Sequence, residues 1–346
     1  MDLDKKWTNK NTENVATLCN IPSPSGFTQN ICKHLMDFFI KLNYKPYQSN
    51  KGSVIVPLGG DGNPLILAAH IDTLGAMVRA IKSNGSLRYT SIGGYPANNI
   101  ENETCQIHTR TGKTYEGTFY LTTPSVHVYE DVGEKKRNTE TIEVVLDENV
   151  ESKEDVEKLD IRVGDFISID PRVKVSNSGY IKSRHLDDKA SAGVLMTLAE
   201  CLKETSIALN RKVYLLFTTY EEVGHGGCSG IPDDTVEMIS VDMGCVGDDL
   251  TANEKMVSIC AKDSGGPYDY DVVSNLINIA KQHDIKYAVD IYPRYGSDVG
   301  ATLHAGYDIK HGLIGPGVFA SHGYERTHTD GLDATLKLIL GYITIT

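Results

Sequence analysis

Two kinds of side chain able to do metal or acid–base chemistry recur along this chain at similar punctuation points. His70 and Asp72 close the apolar run PLILAAHID, and Asp187 and Asp188 sit together in SRHLDDKAS. Glu221 and Glu222 follow KVYLLFTTY, Asp242 ends EMISVD, and His328 stands in ERTHTDG. Each is unremarkable alone: an Asp before a helix is usually a cap, and a lone His at a strand end is usually structural. As a set they are more informative, because two histidines and three carboxylates suit a pair of divalent cations, with zinc favoured by the imidazoles. A paired metal site lowers the pKa of a water and polarises a carbonyl, so the chemistry to expect is metal-assisted hydrolysis.

Such a set needs elements that bring it to one place. The run PLILAAH stops abruptly at His70, and a continuous apolar stretch of that length reads as a strand buried on both faces. If extended geometry persists, His70 and Asp72 at i and i+2 project to the same side. Helical periodicity is expected up to about Tyr44, broken at IPSPSG, and again over KASAGVLMTLAECLKE, YDVVSNLINIAKQHD, DVGATLHAG and DGLDATLKLILGYI. Strands are expected at SVIVPL, KVYLLFTTY, EMISVDMG, YAVDIYP and IKHGLI. Between Val78 and Lys182 the texture is instead short, alternating and turn-rich, with at most one short helix near SKEDVEKLD. The expected fold is therefore α/β, a doubly wound mixed sheet flanked by helices. Residues 1–77 and 183–346 would form the catalytic domain, and residues 78–182 an inserted β-rich domain. Ligands in open α/β sheets bind beyond the carboxyl ends of the strands, where four of these clusters are expected to lie.

In order, AHIDTLGAMV, LDDKASAGVL, TYEEVGHGG, SVDMG and ERTH resemble the motif series of the glutamyl and tetrahedral aminopeptidases, a family of co-catalytic two-metal exopeptidases that includes cellulase-M-like members. The likeness spans nearly the whole chain, with SIGGYP, TPSVH and RVGDFISID in the inserted region. The resemblance implies a zinc-exopeptidase (phosphorylase/hydrolase-like) fold, with the insertion a small β-barrel-like dimerisation domain. It also implies roles. Asp187 matches the ligand shared by two metals, His70 and Asp242 ligands of one, and Glu222 and His328 ligands of the other. Glu221 matches the general base, Asp72 the carboxylate that orients His70, and Asp188 a neighbour that shapes the loop. The cofactors implied are two divalent ions per subunit, zinc with cobalt as an alternative. The substrates implied are short peptides cleaved at the N-terminus, by a homo-oligomer ranging from dimer to dodecamer.

The chain departs from the family pattern in places. Thr73 and Leu74 stand where acidic and β-branched residues are common, and GVFASHGYERTH replaces the usual Pro and Arg-Tyr context of the last histidine. His322 thus competes with His328, which the Thr-His-Thr setting favours. Asp298 in GSDVG is open between a contact to the substrate amine and a helix cap. His127 matches a position that can reach a neighbouring subunit. His185 and His225 lie near ligands in sequence, whereas His108, His283, His304 and His311 read as structural or solvated.

Composition narrows the function classes. The chain has 346 residues, 40% hydrophobic and 23% charged, with a net charge of −12. That acidity argues against nucleic acid, whose phosphates call for clustered Lys and Arg. No run approaches the length of a membrane span, and the N-terminal stretch lacks a signal-peptide core. The 7 cysteines have no metal-ribbon or redox spacing, so reduced buried thiols in a cytoplasmic protein are expected. A glycoside hydrolase and a catalytically idle metal-binding scaffold remain as alternative readings. Adjacent Glu221 and Glu222 suit the first poorly, since glycosidic carboxylates stand roughly 5–10 Å apart across the sugar.

Overall fold

The computed structural model describes residues 4–344. The run Leu65–His70 is a strand buried along its whole length, as a continuous apolar run must be when helices cover both faces of its sheet. Val213–Thr218 and Glu237–Val241 flank it in parallel and are equally buried, and Lys310–Phe319 extends the parallel block. Strand alternation divides this block between two cores. Leu65, Leu67 and Ala69 pack with residues of helices Lys5–Cys19, Gln29–Lys41, Leu186–Thr205, Tyr270–Gln282 and Thr329–Thr344. Ile66 and Ala68 face the opposite layer, which includes Val299 of helix Asp298–His304.

The mixed sheet is 12-stranded. On one flank, Val213–Thr218 pairs with Val54–Gly59 and then Tyr47–Gln48. On the other, Lys310–Phe319 leads through Glu325–His328 and Tyr180–Ser183 to Lys174–Val175. Val257–Lys262 pairs antiparallel with Lys310–Phe319 and carries Tyr287–Ile291 beside it. The expected strands and helices are all present, whereas Val257–Lys262, Gly244–Val246 and Glu325–His328 add strands that periodicity did not indicate. The fold is thus the doubly wound α/β arrangement.

Most of the turn-rich segment closes into a barrel of strands Gly75–Ile81, Leu87–Ile92, Ile142–Leu146, Thr114–Leu121, Thr104–His108 and Phe166–Ile169. The barrel starts before Val78, whereas Lys174–Val175 and Tyr180–Ser183, expected in the inserted domain, belong to the large sheet. Closure leaves no free sheet edge and lets alternate residues fill a separate core, where Tyr89 and Phe119 meet edge to face at 5.2 Å. The short helix expected near SKEDVEKLD is Lys153–Lys158, started by the Ser152 side chain accepting from the Asp155 amide. Among the described residues no helix is long and apolar enough to cross a membrane, and the cysteines are free thiols.

Helix Leu186–Thr205 carries site residues at its start, so its seating matters to chemistry. It packs against Lys5–Cys19 at Gly193, where a Cβ would lie 2.6 Å from Val15 Cγ2 and 2.9 Å from the Val15 amide nitrogen. The backbone nitrogen cannot rotate away. Gly193→Ala is therefore expected to destabilise the fold by about 1–3 kcal/mol through overpacking, outweighing the roughly 1 kcal/mol that Ala gains in helix propensity. A denaturation midpoint equal to or above wild type would show that the two helices can separate freely.

Candidate metal centre

The parallel strands end at one rim, and the chemistry-bearing side chains gather there. His70 is the last residue of its strand, Asp242 follows Glu237–Val241, and Glu221 and Glu222 form a short 3-10 turn just beyond Val213–Thr218. Asp187 and Asp188 precede the regular part of the helix Leu186–Thr205, both with non-helical backbone angles, so they act as a loop rather than a first turn. His322 arrives from the turn between Lys310–Phe319 and Glu325–His328.

Asp187 is the hub. Its Oδ1 lies 2.9 Å from His70 Nε2 and its Oδ2 lies 3.4 Å from His322 Nε2. Glu222 Oε2 is 3.7 Å from the same His322 nitrogen, and Glu221 Oε2 is 3.7 Å from His70 Nε2. Both imidazoles are held the same way from behind. His70 Nδ1 is 3.0 Å from the Asp72 carbonyl, and His322 Nδ1 is 2.5 Å from the Gly94 carbonyl. A carbonyl can only accept, so Nδ1 donates and Nε2 is aimed inward, the tautomer control typical of metal-binding histidines.

The electrostatics of the cluster call for a cation. Burial pushes Asp242 up to about 7, with Asp187 adding to the effect. Burial likewise lifts Glu221 and Glu222 well above the usual carboxylate range, reinforced by Asp242 beside Glu221 and by Asp187 beside Glu222. Burial opposes charge on His322, yet the hydrogen bond to Asp187 and the charge of Glu222 raise it to about 10. Glu222 Oε1 and both Asp188 carboxylate oxygens are buried without a hydrogen-bond partner. Crowded carboxylates with unfilled lone pairs are costly unless a positive charge compensates them, and divalent cations that accept mixed imidazole and carboxylate ligands do so. Two groupings have ligand atoms within 4.8 Å of one another: His70, Asp187 and Glu222, and His70, Asp188 and Asp242. The residues present therefore fit a divalent metal.

His328, favoured over His322 in the sequence, is not in this cluster. Strand alternation turns it away, because Glu325 faces Asp187 and a residue three positions along the same strand points to the other side. Both its ring nitrogens are engaged elsewhere: Nε2 lies 2.8 Å from the Ser178 carbonyl, and Nδ1 accepts from the Asp330 amide. The ring also packs edge-on against Tyr180.

Asp72 works differently from the expected carboxylate-to-imidazole bond. Its Oδ1 is 3.7 Å from His70 Nδ1, which meets the Asp72 backbone carbonyl instead. The fully buried carboxylate accepts from the amides of Glu221 and Glu222 at 3.1 and 3.4 Å, so it fixes the turn that carries both glutamates. Glu325 went unnoticed in the sequence and is comparably placed. One oxygen accepts from the Asp187 amide at 3.1 Å and the other from the His322 amide at 2.9 Å. Asp298 is not a helix cap, which is Ser297; its buried carboxylate accepts from the Thr218 hydroxyl beside Gly226. Asp298, Arg294, Tyr295 and His304 line, with Glu221 and Asp242, a cavity of about 910 Å³ over the cluster. His304, exposed, lies on the wall of this cavity. His225 stacks on Tyr220, His185 is buried in the loop before Asp187, and His127 is exposed in the loop 122–141 of the barrel.

Comparisons with known proteins bear on the family and the fold. The family model described as M42 glutamyl aminopeptidase matches residues 52–338. YhfE of Bacillus subtilis (strain 168), which carries a provisional aminopeptidase name, is 46% identical over 336 residues, covering 96% of this chain and 97% of its own. The TET aminopeptidase of Thaumarchaeota archaeon SCGC AB-539-E09 superposes with a TM-score of 0.88 at 20% identity, covering 97% of this chain and 96% of that one. The TET1 peptidase of Pyrococcus horikoshii superposes at 0.85 and 23% identity, covering 97% and 100%. At those identities the two structures speak for the fold. The family match and the full-length relative go further: this chain belongs to the M42 glutamyl aminopeptidase family and is an aminopeptidase.

Proposed function

We propose that the chain releases N-terminal residues from short peptides at a centre of two divalent metals. His70 and Asp242 would hold one ion, Glu222 and His322 the other, with Asp187 shared between them. The observation that carries this reading is the Asp187 carboxylate, which turns one oxygen toward each of two inward-aimed imidazoles. Such a pair of ions, zinc or cobalt for these ligands, supplies Lewis acidity toward the scissile carbonyl and toward the attacking water.

The chain's own residues do the rest. Glu221 lines the cavity and is bound to no cation in this scheme, so its carboxylate takes the proton of the attacking water and returns it to the leaving amine nitrogen. Asp72 keeps Glu221 and Glu222 in register by accepting their amides, and Glu325 does the same for Asp187 and His322. Geometry held this way lowers the entropic part of the barrier. Treatment with a chelator is expected to abolish release of chromogenic amino-acid anilides, and added zinc or cobalt to restore it. Full activity after metal is shown to have been stripped would overturn the reading.

The barrel is proposed to serve assembly into a cytosolic homo-oligomer. The support comes from one structural neighbour, the Pyrococcus horikoshii TET1 peptidase, which can assemble into a tetrahedron or a large octahedral shell. A monomer by light scattering would remove that part of the proposal.

A further inference from the structure

The segment 185–189 divides two cavities. Asp187 faces the metal cluster, while His185 and Lys189 line a second cavity of about 360 Å³ between the turn after helix Lys5–Cys19 and the barrel. Thr73, next to Asp72, forms part of the same wall. None of the groups discussed as metal ligands lines this second space.

Its charges are separated by depth. At the inner end the Lys189 side chain is 1% exposed. Among the described residues its ammonium donates to one acceptor, the Ile21 carbonyl at 2.7 Å, and no carboxylate pairs with it. A buried ammonium with unfilled donors is expensive to keep, and an anion delivered to it would relieve that cost. At the mouth stand Glu116, Asp147 and Asp170, all exposed. The Asp170 carboxylate accepts from Thr104 and from the Arg172 amide, whereas Glu116 and Asp147 have no cationic partner among the described residues. The inner wall adds the Ser23, Thr73 and Ser168 side chains.

We propose that this cavity is a second binding site, for a free basic amino acid. The α-carboxylate meets the Lys189 ammonium, and the side-chain cation lies at the mouth between Glu116 and Asp147. A small neutral or acidic ligand satisfies one end at most, and the negative rim repels a second carboxylate. A guanidinium suits the rim well, because its fork can meet two carboxylates. Occupancy also touches both ends of the segment that presents Asp187. If Asp187 is the shared metal ligand, as proposed above, the bound amino acid changes turnover without competing with peptide.

Calorimetric titration of the full-length protein with L-arginine tests the site directly. Binding is expected to persist when the metal-side cavity is saturated with an amino-acid hydroxamate, and L-glutamate is expected not to bind there. The double variant Glu116→Gln, Asp147→Asn should weaken L-arginine binding by about tenfold or more, the loss of roughly one well-placed ion pair. Its kcat and KM without arginine should match wild type. Lys189→Met should abolish binding, and the rim variant carries the test should that protein not fold. Abolition of arginine binding by the hydroxamate, undiminished binding by the rim variant, or no binding to the wild type would each overturn the proposal. These readouts do not depend on catalysis, so they stand apart from a failure of the peptidase mechanism.

Discussion

Replacing Glu221 by Gln is expected to cut turnover roughly a thousandfold while leaving the metal content of the protein unchanged. The substitution keeps the shape of the side chain and its backbone bond to Asp72, because that bond uses the Glu221 amide and not the carboxylate. What it removes is the capacity to accept a proton. Glu222→Gln, one residue away, should behave differently. Glu222 sits 3.7 Å from His322 Nε2 with its other oxygen buried and unpartnered, so its loss should lower metal affinity first and activity as a consequence. Metal analysis beside steady-state kinetics separates the two. A Glu221→Gln protein with near-wild-type kcat would show that another group moves the proton, and Asp298, buried on the same cavity wall, would be the next to examine.

The pair of glutamates illustrates what could be read from the chain alone. Strands buried on both faces announce themselves as continuous apolar runs, and Leu65–His70, Val213–Thr218 and Glu237–Val241 all did. Parallel strands have their carboxyl ends on one rim, so polar residues placed just after such runs converge without any long-range knowledge. His70, Glu221, Glu222 and Asp242 were legible for that reason, and Asp187 through the loop before its helix. Other features depend on relations that local pattern does not encode. Glu325 opens a short strand and looks like any surface carboxylate. Only the packing of Glu325–His328 near the start of helix Leu186–Thr205 shows that it is 1% exposed and bound to the amides of Asp187 and His322. His304 lies at the end of a seven-residue helix and reached the cavity through tertiary placement. Val257–Lys262 was missed because its six residues alone are as compatible with a helix turn as with a strand.

The Asp72 result has the same origin. Spacing at i and i+2 would place His70 and Asp72 on the same side if extended geometry persisted, but the strand ends at His70. The backbone carbonyl takes the imidazole proton, and the carboxylate is free to organise the glutamate turn. One residue thereby fixes a ligand of the first proposed ion, a ligand of the second, and the base. Losing it should disturb all three together.

The sharpest division is between two histidines six residues apart. His322→Ala is expected to lower activity by more than about 100-fold and to remove one metal equivalent per subunit, since outer-shell partners alone are worth 10–100-fold. His328→Ala should leave metal content and kcat near wild type. Its cost should instead be to stability, about 1–3 kcal/mol, because the Ser178 carbonyl and the Asp330 amide each lose a partner. The contrast follows from backbone geometry more than from residue type. His322 adopts a left-handed conformation, φ 62°, in a turn whose amide is held by Glu325, and this aims its ring toward Asp187 and Glu222. His328 is tied into a regular ladder opposite Tyr180, with no freedom to swing across the strand. Were the metal and the activity lost with His328→Ala and kept with His322→Ala, the hairpin that follows Phe319 would have to be arranged differently in the working enzyme.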